Sequence, residues 1–381
     1  MKLNSFNEWD RLRTVIVGSV ENFSPGLEFN ARVSDAQRIK ASNLVKEAYP
    51  AAYLDEVQED LSELCNIMEN FGVRVLRPEW PADKSDFSTP DWTAEGFDIY
   101  NVRDLHIIFG NTLVVSAPSS RFRLFEQQAL QKLFYEHFFD EGFKWISAPI
   151  PRLNGQYLHE IQRERSDLEK QEDISHSHLS GGVVEVFHRL DELEVIFDAA
   201  NIMRFGDEAL FLVSSTGNMM AAKWLQSALP EIKFHITDAY RSSHLDSTIL
   251  PLKEGFVLLN SARVDENNCP QFLRNWDKLF FNEPAPVCEK EVEFHSNIRM
   301  PLYKQLQKLG CSSVIGHISS PWAGLNVMSL DSETVLVHDR QMSLIKALER
   351  RKFNVIPVRM RHCYTMLGGL HCSTLDVVRN D

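Results

Sequence analysis

Short apolar runs broken by Gly, Asp or Asn recur along the chain with one layout. In "RDLHIIFGNTLVVSAP", two Ile/Val-rich runs flank Gly110 and Asn111. "FDAANIMRFGDEALFLVSS" repeats the pattern around Gly206 and Asp207, "HLDSTILPLKEGFVLLNS" around Gly255, and "GLNVMSLDSETVLVHD" around Asp331 and Ser332. β-branched and aliphatic runs bounded by turn formers predict four strand hairpins. A fifth run, "LHCSTLDVV" from Leu370 to Val378, has no strand after it. "RTVIVGS", from Arg13 to Ser19, has none before it. Pairing these two runs would leave neither with an open edge.

Between the hairpins the apolar period lengthens to that of a helix. "AAYLDEVQEDLSELCNIMENFG", "RLFEQQALQKLFYEHFFDEG", "GNMMAAKWLQSAL" and "MSLIKALERRKF" each place apolar residues three and four apart, the first two ending on a Gly. Tight turns make antiparallel neighbours, and the fivefold recurrence predicts a ring of small αβ modules. The expected fold is a five-bladed, pseudo-symmetric α/β propeller. It forms one domain over residues 1–381, closed by the N- and C-terminal strands.

The 381 residues are 44% hydrophobic, enough for a large core, and carry a formal charge of −13. That charge argues against a nucleic-acid partner, which would want a basic face. No window reaches the eighteen or so apolar residues needed to span a bilayer, and "MKLNSFNEWDRLR" has charges where a secretory peptide would be apolar, so the protein is expected in the cytoplasm. The six cysteines (65, 269, 288, 311, 363 and 372) form no CxxC pair and no dense scaffold, which predicts reduced thiols. The "HSH" at His176 to His178 lacks a matched second pair, so no metal and no cofactor is expected. The charged stretch over 158–182 reads as a solvated loop.

The start of each module carries a polar or reactive residue: Asp104, Asp198, His244 with Asp246, Ser320, and Cys372. In a ring these converge. A thiolate is a strong nucleophile, His moves protons near neutral pH, and several carboxylates make a site for a cation. A guanidinium fits such a site, being planar, charged and matched to carboxylates through paired N–H donors. Two aspartates would hold it flat while the thiolate attacks its central carbon and His244 protonates the leaving amine.

"FDAANIMRFG", "HLDSTI", "SSPW", "GGLHCSTLD", "NVRDLHIIFGNTLV" and "NSFNEWDRLRTVIVGS", in order through nearly the whole chain, resemble the arginine-dependent amidinotransferases. The resemblance implies the five-bladed propeller of the guanidine-modifying superfamily. It also implies ping-pong transfer of an amidino group from L-arginine to an acceptor amine through an amidino-cysteine, with release of L-ornithine, and it admits a homodimer. Position by position, Cys372 resembles the nucleophile, His244 the general acid and base, and Asp198 the carboxylate that pairs with them. Asp104 and Asp246 resemble further pocket carboxylates, Arg263 the receptor of the donor's α-carboxylate, and Ser320 a pocket hydroxyl. "RSSHLD" and "GGLHCST" depart from the glycine-specific pattern and imply a larger amine as acceptor. A deiminase or dihydrolase on the same scaffold, and a propeller that only binds, are the alternatives.

Overall fold

Each of the four predicted hairpins forms, and each gains a third strand in parallel after a crossover. The computed structural model describes residues 2–46, 48–79, 87–154, 158–161 and 187–380. His176, His178 and residues 162–182 of the charged stretch lie outside the described residues; its first four, Leu158–Ile161, form not a loop but a strand antiparallel to Phe187–Leu190. The first hairpin pairs His106–Phe109 with Thr112–Val115, and Lys144–Ser147 joins after the helix Gln128–Glu141. The second pairs Ile202–Arg204 with Glu208–Leu212, and Lys233–Thr237 follows the helix Met219–Ala228. The third joins Ile249–Lys253, Phe256–Asn260 and Asp277–Phe281. The fourth joins Met328–Ser329, Thr334–His338 and Asn354–Val358 around the helix Met342–Arg350. Gly206, at the tip of the second hairpin, has φ +89°, a region costly for any residue with a Cβ.

The fifth sheet repeats this order with strands from the two ends of the chain. Thr374–Arg379 lies antiparallel to Leu12–Val17, with Thr14 opposite Val378 and Val17 opposite Thr374; Arg74–Leu76 then runs parallel to Leu12–Val17. The expected closure of first and last strands is therefore present. The helix Ala51–Asn70 covers this sheet with Tyr53, Val57, Leu61, Leu64 and Met68, which share one face and pack against Leu12, Val15 and Val17. Ahead of the first strand, the N-terminal segment crosses between sheets: Asn4 bridges Val378, Ser5 bridges Gly110 and Asn7 bridges Phe205.

Three details differ from the sequence reading. The last strand begins at Thr374, not Leu370, because Leu367 turns at φ +61° and Ser373 N–H bonds the Gly369 carbonyl at 3.1 Å, which puts Cys372 in the turn before the strand. The helix expected from Arg123 starts at Gln128 after a 3₁₀ turn over Phe122–Phe125. A four-stranded sheet of Cys311–Ser313, Ser19–Asn30, Trp92–Ile99 and Phe87–Ser88 was not foreseen; Pro25 and Gly26, residues that disfavour strands, lie inside its longest strand. All six cysteines are free. Among the described residues no helix is long and apolar enough to cross a membrane.

Candidate active site

The segment leading into the first strand of a sheet is where the polar residues gather. Asp104 ends a 3₁₀ turn two residues before His106–Phe109, and Asp198 stands at the head of the turn Ala199–Asn201 before Ile202–Arg204. His244 and Asp246 lie in the loop before Ile249, and Cys372 in the turn before Thr374. These loops inherit the rigidity of the sheets they enter, which aims short side chains precisely.

His244 Nε2 lies 3.0 Å from Asp198 Oδ2, and its Nδ1 lies 3.7 Å from Asp104 Oδ1. Arg123 pairs with the other oxygen of Asp104, donates to the Asn101 carbonyl at 2.9 Å and pairs with Glu126 at 2.9 Å. Asp104 Oδ1 and Asp198 Oδ1 are buried and have no hydrogen-bond partner. Leaving such oxygens unsatisfied is costly, so each marks a place for an incoming donor.

The thiol of Cys372 donates to Asp246 Oδ2 at 2.9 Å, and its backbone N–H donates to Asn326 Oδ1 at 2.9 Å. Asn326 Nδ2 in turn donates to the Asp246 carbonyl at 3.3 Å, so one amide fixes the backbone of Cys372 and that of its carboxylate neighbour together. The Gly368-Gly369 pair exists for close approach: a Cβ on Gly368 would lie 1.9 Å from Asn101 Oδ1, and one on Gly369 would lie 2.8 Å from Asn326 Cβ.

The charges shape the proton affinities. Burial works against the cationic form of His244, but Asp104, the hydrogen bond to Asp198 and the Asp198 charge outweigh it and push the ring up to about 9. Burial, then the charges of Asp246 and Asp104, raise the Cys372 thiol well above its ordinary value. Burial and these two aspartates thus favour the neutral thiol over the thiolate. Burial acts to raise Asp246, yet hydrogen bonding and charge from His371, then the His244 charge, hold it well below the usual carboxylate range. Burial raises Asp104 against the pull of His244 and Arg123.

Arg263 and Ser320 form a second group. Arg263 is buried; its Nη1 donates to Ser242 Oγ at 2.9 Å and Thr248 Oγ1 at 3.0 Å, and its Nη2 to Ser320 Oγ at 3.3 Å. Of the "RSS" run before His244, Arg241 is buried, Ser242 holds Arg263 and Ser243 is exposed. Thus His244, Asp198 and Asp104 form one contacting group and Cys372 and Asp246 another, the two coupled through their charges, while Arg263 and Ser320 meet each other.

Sequence reasoning missed Arg123, Asn326 and His371. Asn326 had a legible signal, since it stands two residues before its first strand, the register of Asp104 and Cys372, where Ser320 was chosen instead. Asp104, Asp198 and His244 each bring one oxygen or nitrogen within 4.8 Å of the others.

No family model matches the chain. It is 35% identical to inosamine-phosphate amidinotransferase 1 of Streptomyces glaucescens, over 98% of its own length and 95% of the relative's. The chain belongs to the amidinotransferase family. The inosamine-phosphate amidinotransferase of Streptomyces griseus superposes with a TM-score of 0.77 at 31% identity, covering 100% of this chain and 97% of that one. An amidinotransferase of the saxitoxin pathway from Microseira wollei superposes with a TM-score of 0.76 at 30% identity, covering 100% and 98%. This amidinotransferase is an enzyme that transfers an amidino group on the α/β fold those structures share.

Proposed function

We propose that this amidinotransferase takes its amidino group from L-arginine, carries it on Cys372, and passes it to a primary amine larger than glycine, releasing L-ornithine. The observation that carries the reading is the pair of unpartnered buried oxygens, one on Asp104 and one on Asp198, beside a thiol and a histidine. A guanidinium offers planar N–H donors to both oxygens and supplies the positive charge the carboxylates lack. Arg263, with Ser320, would receive the α-carboxylate of arginine.

The resting thiol fits this order of events. Burial, then Asp246 and Asp104, hold the proton on sulfur, and a bound guanidinium offsets the charge of the two carboxylates, so substrate binding itself favours the thiolate. Sulfur then bonds to the central guanidinium carbon, the carbon–nitrogen bond to the ornithine side chain breaks, and His244 gives that nitrogen a proton. The proton lost from Cys372 replaces the one His244 gave. In the second half-reaction a neutral amine attacks the S-amidino carbon, the carbon–sulfur bond breaks as His244 gives its proton to the departing sulfur and restores the thiol, and the surplus proton of the attacking amine replaces the one His244 gave.

A larger acceptor is supported by Ser242 and Ser243 beside His244 and by the relative named for an inosamine phosphate. We read the five like-ordered sheets as blades of one closed propeller, a single domain acting in the cytoplasm. Arginine alone should release ornithine in a burst of about one equivalent per enzyme, with mass spectrometry locating an amidino group on Cys372. Continuous citrulline and ammonia, or the absence of an adduct, would overturn the proposal.

A further inference from the structure

The sulfur of Cys372 is 2.9 Å from a carboxylate oxygen, an awkward neighbour for a group that must become an anion. That same oxygen, Asp246 Oδ2, is 3.3 Å from Nδ1 of His371, the residue just before the nucleophile. The far nitrogen of the ring, Nε2, is 3.3 Å from Glu8 Oε2. His371 is almost fully buried, and so is Glu8. Each is pinned independently of the ring: Glu8 Oε1 accepts from Arg204 Nε at 2.8 Å, and the His371 carbonyl accepts from Arg103 Nε at 2.8 Å. An ionised carboxylate only accepts hydrogen bonds, so a ring between two of them has to act as a donor.

Resting on the reading of Cys372 as nucleophile, we propose that His371 is a positioning residue. Held from behind by Glu8, its ring keeps an N–H on the Asp246 carboxylate, which lets that carboxylate stay against Cys372 while the sulfur becomes a thiolate. Without that N–H, the Asp246 charge would meet the developing thiolate uncompensated in a site of low dielectric. The brace comes from the opposite end of the chain, since the bridges of Asn4, Ser5 and Asn7 to three different sheets deliver Glu8 beneath the site. The family-like opening "NSFNEWDRLR" thereby gains a task.

Two replacements of His371 separate this role from mere filling of space. The amide nitrogen of Asn stands about where Nδ1 stood, facing Asp246, and that of Gln about where Nε2 stood, facing Glu8. In His371→Gln the ornithine burst with arginine, and the alkylation of Cys372 by iodoacetamide followed by peptide mass spectrometry, should both slow by about 100-fold. In His371→Asn both should slow by about tenfold or less, and KM for arginine should stay within about threefold in either variant. Glu8→Gln, which weakens the brace alone, should fall between them. Equal losses in the two His371 variants, or a change in KM alone, would overturn the proposal; so would failure of all three variants to fold by circular dichroism, because the ring would then be only a structural strut. Alkylation needs no amidino transfer, so if the unaltered enzyme forms no adduct the transfer reading fails while the Gln and Asn contrast still judges His371.

Discussion

Two buried clusters of charge lie on either side of His371, and they are built to opposite plans. On one side, Glu8 and Asp376 meet three guanidinium groups: Arg103 Nη2 and Arg379 Nε reach Asp376 at 2.9 and 2.8 Å, Arg204 Nε reaches Glu8 at 2.8 Å, and Arg204 also pairs with Asp376. Ser5 adds a hydroxyl to Asp376 at 3.0 Å. On the other side, Asp104, Asp198 and Asp246 face one guanidinium, Arg123, and two imidazoles, His244 and His371, and two of their oxygens accept no hydrogen bond. The first cluster is saturated and clasps the ends of the chain. The second is short of positive charge and donors, which is what a site for a cationic substrate requires. Being buried and charged is common to both; only the pairing distinguishes holding from catalysis.

The contrast is testable from its strongest claim downward. Cys372→Ala should fold normally and lose ornithine release by about 10⁴-fold or more, measured by amino-acid analysis after incubation with arginine, because no other group takes the amidino. Arg204→Met takes from Glu8 its 2.8 Å partner and from Asp376 one of its three guanidinium groups, and should cost about 3 kcal/mol in urea unfolding; a cost near zero would show that the clasp contributes nothing. Asp198→Asn removes charge from the open cluster with little change of shape. It should slow the ornithine burst by about 100-fold while moving the unfolding midpoint little, the reverse of the Arg204 result.

The smallest effect is in pH. His244 is raised from an ordinary 6.5 to about 9 in the folded protein, so its contribution is fully present below 6.5 and is lost as pH rises through about 9. Between pH 6.5 and 8 the stability difference between the unaltered protein and His244→Asn should shrink by about 1.5 kcal/mol, read from paired urea titrations. A difference that stays constant over that window would mean that Asp104 and Asp198 do not hold the ring cationic.

How much of this was legible beforehand follows from what each feature depends on. The hairpins were readable because their turns and strands are local, and the helix Ala51–Asn70 because its apolar face repeats within twenty residues. Cys372, His244 and the three aspartates could be found because reactive types recur at the heads of repeated modules. Glu8, Asn326 and His371 were hidden for the opposite reason. Each takes its meaning from residues up to 363 positions away, and an acid, an amide and a histidine carry no periodic signature. The Asp246 carboxylate 2.9 Å from the Cys372 sulfur was hidden on the same account, since the sequence places only a histidine beside the thiol.

The pairing of Leu12–Val17 with Thr374–Arg379 also sets a timetable. The first strand leaves the ribosome about 360 residues ahead of its antiparallel partner, an interval of about 20 to 70 s at ordinary rates of synthesis. During that time one edge of a Val/Ile-rich strand stands open, and so does the face that Tyr53, Val57 and Leu61 would cover only in part. The clasp around Asp376 cannot form until the same late moment. A nascent chain therefore has the carboxylates of the site long before it has the thiol, and chaperone capture or aggregation of stalled chains should concentrate on this one sheet.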